Sequence, residues 1–213
     1  MKKTSLTNQV VKNSFWNFLA VLITKVGGVI FLMIVARFLL PENFGTYSLA
    51  IAVTMILLTL LDSGFNQTLI RYFSESLNKN KKLAVARYRY LLRLKFFWTI
   101  ILTIGLLAFA YPISLWVFKK PDLFVPLLVA SFYLFVYSFE SFYGSLFYVF
   151  GRINILTAKQ LLMEILRISG VFLVFLFMVS QAQIIGIIGV LIISASIALI
   201  ILLIYFLLIK RIL

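Results

Sequence analysis

Apolar positions gather into six long runs separated by short polar breaks. The runs cover Phe15–Leu39, Thr46–Asn66, Leu91–Phe118, Leu123–Phe150, Leu156–Ser180 and Ile184–Ile209. About 20 apolar residues in a helix cross the ~30 Å hydrocarbon layer of a bilayer, and every run reaches that length. Pro41, the Lys119-Lys120-Pro121-Asp122 turn, Gly151 and the polar Ser180–Gln183 punctuate the runs. The pattern predicts an all-α fold, a polytopic transmembrane helical bundle of six helices. One connection is long, residues 67–90, and it is basic. At its end Arg89, and Arg93 four residues on, stand with Tyr and Leu between them. That spacing predicts a cytoplasmic amphipathic link lying along the headgroups, either as a plain anchor or with a lipid-specific site. No soluble module, low-complexity tract or internal repeat is evident.

Composition supports the same class. The chain is 63% hydrophobic and 12% charged, with a mean hydropathy of +1.11, whereas soluble domains are roughly half apolar and a quarter charged. A net charge of +14 in a soluble protein would suggest nucleic acid. Here it is read as topology, and no nucleic-acid partner is expected. With the N-terminus inside, one side collects Lys2, Lys3, Lys12, the connection from Arg71 to Lys95, Arg152, Lys159, Lys210 and Arg211. The other side keeps Arg37, Lys119 and Lys120. This bias predicts a multi-pass protein of the cytoplasmic membrane with both termini in the cytoplasm. The basic, then apolar, start resembles a signal peptide, but its apolar run is too long and no small-residue cleavage site follows, so it is read as a retained first span.

Cysteine and histidine are absent, which removes disulfides, thiol chemistry and the usual zinc ligands, and no cofactor or metal is expected. A polytopic enzyme would need a reactive cluster outside the bilayer. Glu42 and Asp122 have no carboxylate near them in sequence, so the chain is not read as an enzyme.

Charges inside spans are costly and face a cavity or a partner. Lys25 lies ten residues into the first run, roughly 15 Å deep at ~1.5 Å per residue, close to the midplane. On a helical wheel Asn13, Ser14, Asn17, Thr24, Lys25 and Gly28 share one polar sector, and Gly27-Gly28 can admit a bend or a close neighbour. Arg37 falls on the opposite side and snorkels outward. In the fourth run Tyr133, Tyr137, Glu140, Gly144 and Tyr148 form a second stripe; in the fifth, Gln160, Glu164 and Arg167 form a third. Asp62 lies near the inner end of the second run. Three stripes can converge on one wet cavity. The competing reading is structural: Glu164 and Arg167, three apart, can pair as a clasp, and Glu140 can neutralise Lys25. Two mid-membrane cations then stand against two carboxylates.

Several short segments, taken together, carry a family resemblance: Lys12-Asn13-Ser14, Ala36-Arg37, the turn Pro41-Glu42-Asn43-Phe44-Gly45, Tyr47-Ser48-Leu49, Asp62-Ser63-Gly64, Leu69-Ile70-Arg71-Tyr72 and the later "FYVFGRINILTAKQLL". Over essentially its whole length the chain resembles polysaccharide flippases of the O-antigen type, in the superfamily that also holds the lipid II flippase and multidrug extruders. The resemblance implies two six-helix lobes facing a central cavity, which rock to give alternating access. It implies a lipid-linked oligosaccharide as substrate, with cavity cations holding the pyrophosphate. Lys25 falls where the lipid II flippase carries a functional cavity arginine in its first helix. On that reading Lys25, Arg167, Asn17, Thr24, Tyr137, Glu140 and Glu164 bind substrate, while Arg37, Gly27, Gly28 and Asp62 are structural or gating. The family's chains have twelve to fourteen helices, so residues 1–213 are expected to form a single lobe, the N-terminal half of a transporter, completed by a missing C-terminal lobe or by a second copy. Membrane lipids are the other partners.

Two alternatives stay open at the sequence level. A cation-coupled multidrug or metabolite exporter on the same architecture would use Glu140, Glu164 and Asp62 to bind H⁺ or Na⁺. A non-transporting membrane anchor or assembly protein is the other.

Overall fold

The computed structural model describes residues 2–179 and 182–212, with side chains described for 11–76, 80, 82–179 and 182–208. Ser180 and Gln181, part of the break expected at Ser180–Gln183, lie outside the described residues, as do the side chains of Lys2, Lys3, Lys210 and Arg211. Six helices follow one another: α1 Lys2–Phe38, α2 Pro41–Lys79, α3 Lys81–Pro112, α4 Phe124–Val149, α5 Ile153–Phe177 and α6 Gln183–Ile212. Each is long and apolar enough to cross a membrane, and no strand occurs among the described residues. This is a multi-pass membrane protein.

The breaks have local causes. Pro41 opens α2, where its fixed φ suits a first helical position and its missing N–H is not needed. Pro112 closes α3, and the chain continues into a wider turn over Ile113–Val117 in which the Phe118 N–H donates to the Ile113 carbonyl at 3.1 Å. Lys119 and Gly151 hold positive φ, 52° and 66°, where the chain reverses.

Residues 67–90, expected as a basic amphipathic link, are helical almost throughout. They are the end of α2 and the start of α3, meeting at the single residue Asn80, whose side chain accepts from the Lys82 N–H at 2.9 Å and caps α3. Leu69 and Phe73 on one arm and Ala84 and Leu91 on the other are buried in a cluster with Phe142 and Leu146 of α4. That apolar seam keeps the connection helical and packs it against α4.

α4 is the centre of the bundle. It packs against α2, α3 and α6 and is buried along most of its length. α1 instead lies parallel to α5: Thr157 Oγ1 donates to the Trp16 carbonyl at 2.9 Å near one end, and Phe38 packs on Phe172 and Phe175 near the other. α5 returns to the bundle through α6 and touches α4 only sparsely. A gap therefore opens between the α1/α5 pair and α4.

The two glycines of α1 are not equivalent. A Cβ on Gly27 would stand 2.8 Å from Glu164 Cγ and 2.9 Å from its Oε2, while one on Gly28 meets nothing within 4 Å. Gly27→Ala is expected to force α1 and α5 apart at mid-height, at a cost of about 1–2 kcal/mol. Gly28→Ala should be neutral or slightly stabilising, since it removes a helix-interior glycine. Thermal melting of the two variants in detergent checks the contrast.

Candidate functional site

The gap is a cavity of about 320 Å³. From α1 it receives Thr24 and Lys25, from α4 Tyr137, Glu140 and Tyr148, and from α5 Lys159, Gln160 and Arg167. The three stripes read along the helices thus open onto one space, because helical periodicity keeps each on one face and the faces turn toward each other. Tyr133 lies beneath the lining, 1% exposed and packed on Tyr137 with ring centroids 5.3 Å apart. At one mouth, Asn13, Ser14 and Asn17 line a smaller recess with Tyr148, whose hydroxyl donates to Asn17 Oδ1 at 3.4 Å.

The charges inside divide unequally. Glu140, 3% exposed, is ion-paired with Lys159 rather than with Lys25. Glu164, 4% exposed, accepts from Arg167 Nη1 at 3.3 Å and from Gln160 Nε2 at 3.1 Å. The Glu164–Arg167 clasp is therefore formed, yet it is incomplete: Glu164 Oε2 and Arg167 Nε are buried without a hydrogen-bond partner. Lys25 is exposed to the cavity and makes no ion pair or hydrogen bond among the described residues. Three cations, Lys25, Lys159 and Arg167, line the cavity with one carboxylate, Glu140; Glu164 is not among the lining residues but packs against Gly27 and holds Arg167. The expected balance of two against two is corrected by Lys159, which the charge pattern places at the cytoplasmic surface and which instead lines the cavity. Its position one turn before Met163 and two before Arg167 places it on the cavity face of α5.

Asp62 does not reach this cavity. Its Oδ1 accepts from Lys95 Nζ at 2.8 Å and its Oδ2 from Ser141 Oγ at 2.8 Å, while Asn66 Nδ2 donates to Ser141 Oγ at 2.8 Å. Lys95 is wholly buried, so this lysine too is removed from the loop cations and becomes half of an interior pair joining α2, α3 and α4. Ser141 belongs to both places, since it also lines the cavity. Arg37 is exposed near the end of α1, away from the cavity.

A family model described as polysaccharide biosynthesis protein matches residues 10–212. The chain belongs to this polysaccharide biosynthesis protein family. The match covers all six helices, including every residue that lines the cavity. No curated protein and no solved structure matches it. Membership in the polysaccharide biosynthesis protein family accords with the flippase resemblance read from the turn after α1 and from the segment between α4 and α5.

Proposed function

We propose that the protein is a flippase that carries a polyprenyl-pyrophosphate-linked oligosaccharide across the cytoplasmic membrane during cell-surface polysaccharide synthesis. The observation that carries this reading is the unpaired Lys25 on a cavity whose one lining carboxylate, Glu140, is held by Lys159, while Glu164 beside it holds Arg167. A pyrophosphate bears several negative charges and cannot cross hydrocarbon bare, because desolvating an ion costs far more than the groups beside it gain. Lys25 supplies a fixed compensating charge near the midplane. Arg167 adds a planar fork suited to phosphate oxygens once it turns from Glu164. Asn17, Thr24 and Tyr137 offer neutral donors and acceptors to the head group, and Glu140 and Glu164 hold the neighbouring cations in place until it arrives. The polyprenyl chain stays in lipid, so only the polar head passes through the cavity, and no covalent step occurs.

In this reading residues 1–213 act as one lobe, both termini are cytoplasmic, and a second lobe or a second copy faces the cavity to complete the path. Gly27 sets the close approach of α1 to α5, Gly28 and Arg37 serve bending and anchoring of α1, and Asp62 ties the bundle together. The family match and the positive charges gathered at one end of the helices support it.

The test is transport in proteoliposomes loaded with fluorescent polyprenyl-pyrophosphate oligosaccharide, comparing Glu164→Gln with Lys25→Ala. Glu164→Gln frees Arg167 from its carboxylate and is expected to keep transport while lowering the half-saturating substrate concentration about two- to fivefold. Lys25→Ala should lose transport. The reverse ranking, with Glu164→Gln inactive and Lys25→Ala active, is the signature of a carboxylate-coupled exporter and would overturn the flippase reading.

A further inference from the structure

The α2–α3 hairpin carries a charged groove unrelated to the cavity. Between Gln67 and Lys95 the sequence holds eight lysines and arginines and one acid, Glu75. Where the two arms part, a groove of about 440 Å³ is lined by Thr68, Tyr72, Arg87 and Tyr90, among others. Arg87 reaches across it from α3, donating from Nη1 to Ser76 Oγ at 2.7 Å and to the Tyr72 carbonyl at 3.3 Å. The guanidinium groups of Arg71 and Arg87 each lie 5.8 Å from the centroid of the same Tyr72 ring. Two positive charges are thus gathered on one aromatic ring. Arg93, exposed and one turn from Tyr90, shares the Tyr90 face of α3.

Depth fixes what such a groove meets. α2 has 39 residues, roughly 58 Å of helix against a hydrocarbon layer of ~30 Å, so it overhangs the layer. Its long uncharged stretch runs from Asn43 to Leu61, and that of α3 from Phe96 to Phe118. Thr68 and Arg93 lie one to two turns beyond those stretches, at the level of headgroups. Exposed Tyr72 and Tyr90, 44% and 66%, have the amphipathic character of side chains that settle at that level. A basic recess between helices, framed by tyrosines at headgroup depth, is complementary to a lipid phosphate.

We propose that the groove between α2 and α3 binds the headgroup of an anionic phospholipid, held by Arg71, Arg87 and Arg93 with its acyl chains along the helices below. It is a lipid site on the hairpin, separate from the translocation cavity and independent of what that cavity carries. Anionic lipid there would neutralise the paired arginines and hold the overhanging hairpin to the membrane surface.

The experiment is native mass spectrometry of the protein released from nanodiscs containing equal amounts of phosphatidylglycerol and phosphatidylethanolamine. The wild-type protein is expected to retain phosphatidylglycerol preferentially. The double variant Arg71→Gln/Arg87→Gln should lose that preference by at least about tenfold, whereas Arg71→Lys/Arg87→Lys should retain most of it and Lys119→Gln/Lys120→Gln all of it. Should loss of the Arg87 hydrogen bonds unfold the first variant, Arg71→Gln/Arg93→Gln decides instead, since neither side chain makes a hydrogen bond among the described residues. Unchanged phosphatidylglycerol retention in the folded glutamine variants overturns the proposal. Equal retention of the two lipids by the wild type also overturns it, as does displacement of phosphatidylglycerol by millimolar inorganic phosphate, which would identify a site for a soluble anion.

Discussion

Cells whose only copy of this protein carries Lys25→Ala are expected to lose surface polysaccharide, with transport reduced at least about tenfold and the protein inserted at normal abundance. The size follows from what the ammonium does. A hydrogen bond to a charged group contributes about 1.5–3 kcal/mol, which corresponds to roughly ten- to a hundredfold in an equilibrium constant. Little stability should be lost, because Lys25 is exposed to the cavity and engages no carboxylate. That separation makes the variant informative: reduced transport with an unshifted melting curve isolates a role in handling substrate. Lys25→Arg keeps a cation at the same height on α1 and should restore most of the polysaccharide. Lys159→Ala is expected to fail for a different reason, since it leaves Glu140 as a buried charge without its partner and takes one positive charge from the cavity lining.

The second large effect concerns stability. Lys95 is wholly buried against Asp62, which is itself a quarter exposed. Lys95→Ala removes the cation and leaves a carboxylate held by Ser141 alone. The expected destabilisation is about 3 kcal/mol, the lower end for breaking a buried ion pair, because Asp62 keeps some exposure. Lys95→Met with Asp62→Leu removes both charges together and should recover most of that loss, since an apolar pair of similar volume avoids the desolvation cost. Thermal melting in detergent of Lys95→Met, Asp62→Leu and the double reads the coupling directly. The double variant also separates structure from transport: Asp62 lies outside the cavity, so the refolded protein should still export polysaccharide. Loss of export in a double variant as stable as wild type would give this pair a transport role that its position does not suggest.

The sequence and the structure meet most closely where periodicity alone carries the information. The stripes on α1, α4 and α5 were legible because a polar residue every three or four positions stays on one face however the helix is packed. Lys25, Tyr137, Glu140 and Arg167 reach the cavity for that reason. Lys95 and Lys159 were misassigned because both stand near a span's end, where a lysine ordinarily marks a loop. Their acids, Asp62 and Glu140, are 33 and 19 residues away in the chain, and only tertiary packing brings them together. Residues 67–90 show a different limit of the sequence. Their charges suggested a surface link, while the feature that decides their structure is the sparse apolar spacing of Leu69, Phe73, Ala84 and Leu91, which becomes a seam once α4 is beside it. Gly27 and Gly28 were indistinguishable in sequence and differ only because Glu164 fills the space above one of them.

The absence of cysteine allows the central claim to be tested on one atom. In Lys25→Cys the new thiol is the sole thiol of residues 1–213, and it reacts only if water and reagent reach it as a thiolate. Aminoethyl methanethiosulfonate returns an ammonium to that height on α1, while the sulfonatoethyl reagent places an anion there. The variant is expected to be inactive, both reagents should label it, and transport should return with the ammonium adduct and not with the sulfonate adduct. Recovery with both adducts, or full activity of unmodified Lys25→Cys, would contradict the account that a free positive charge in this cavity receives the substrate.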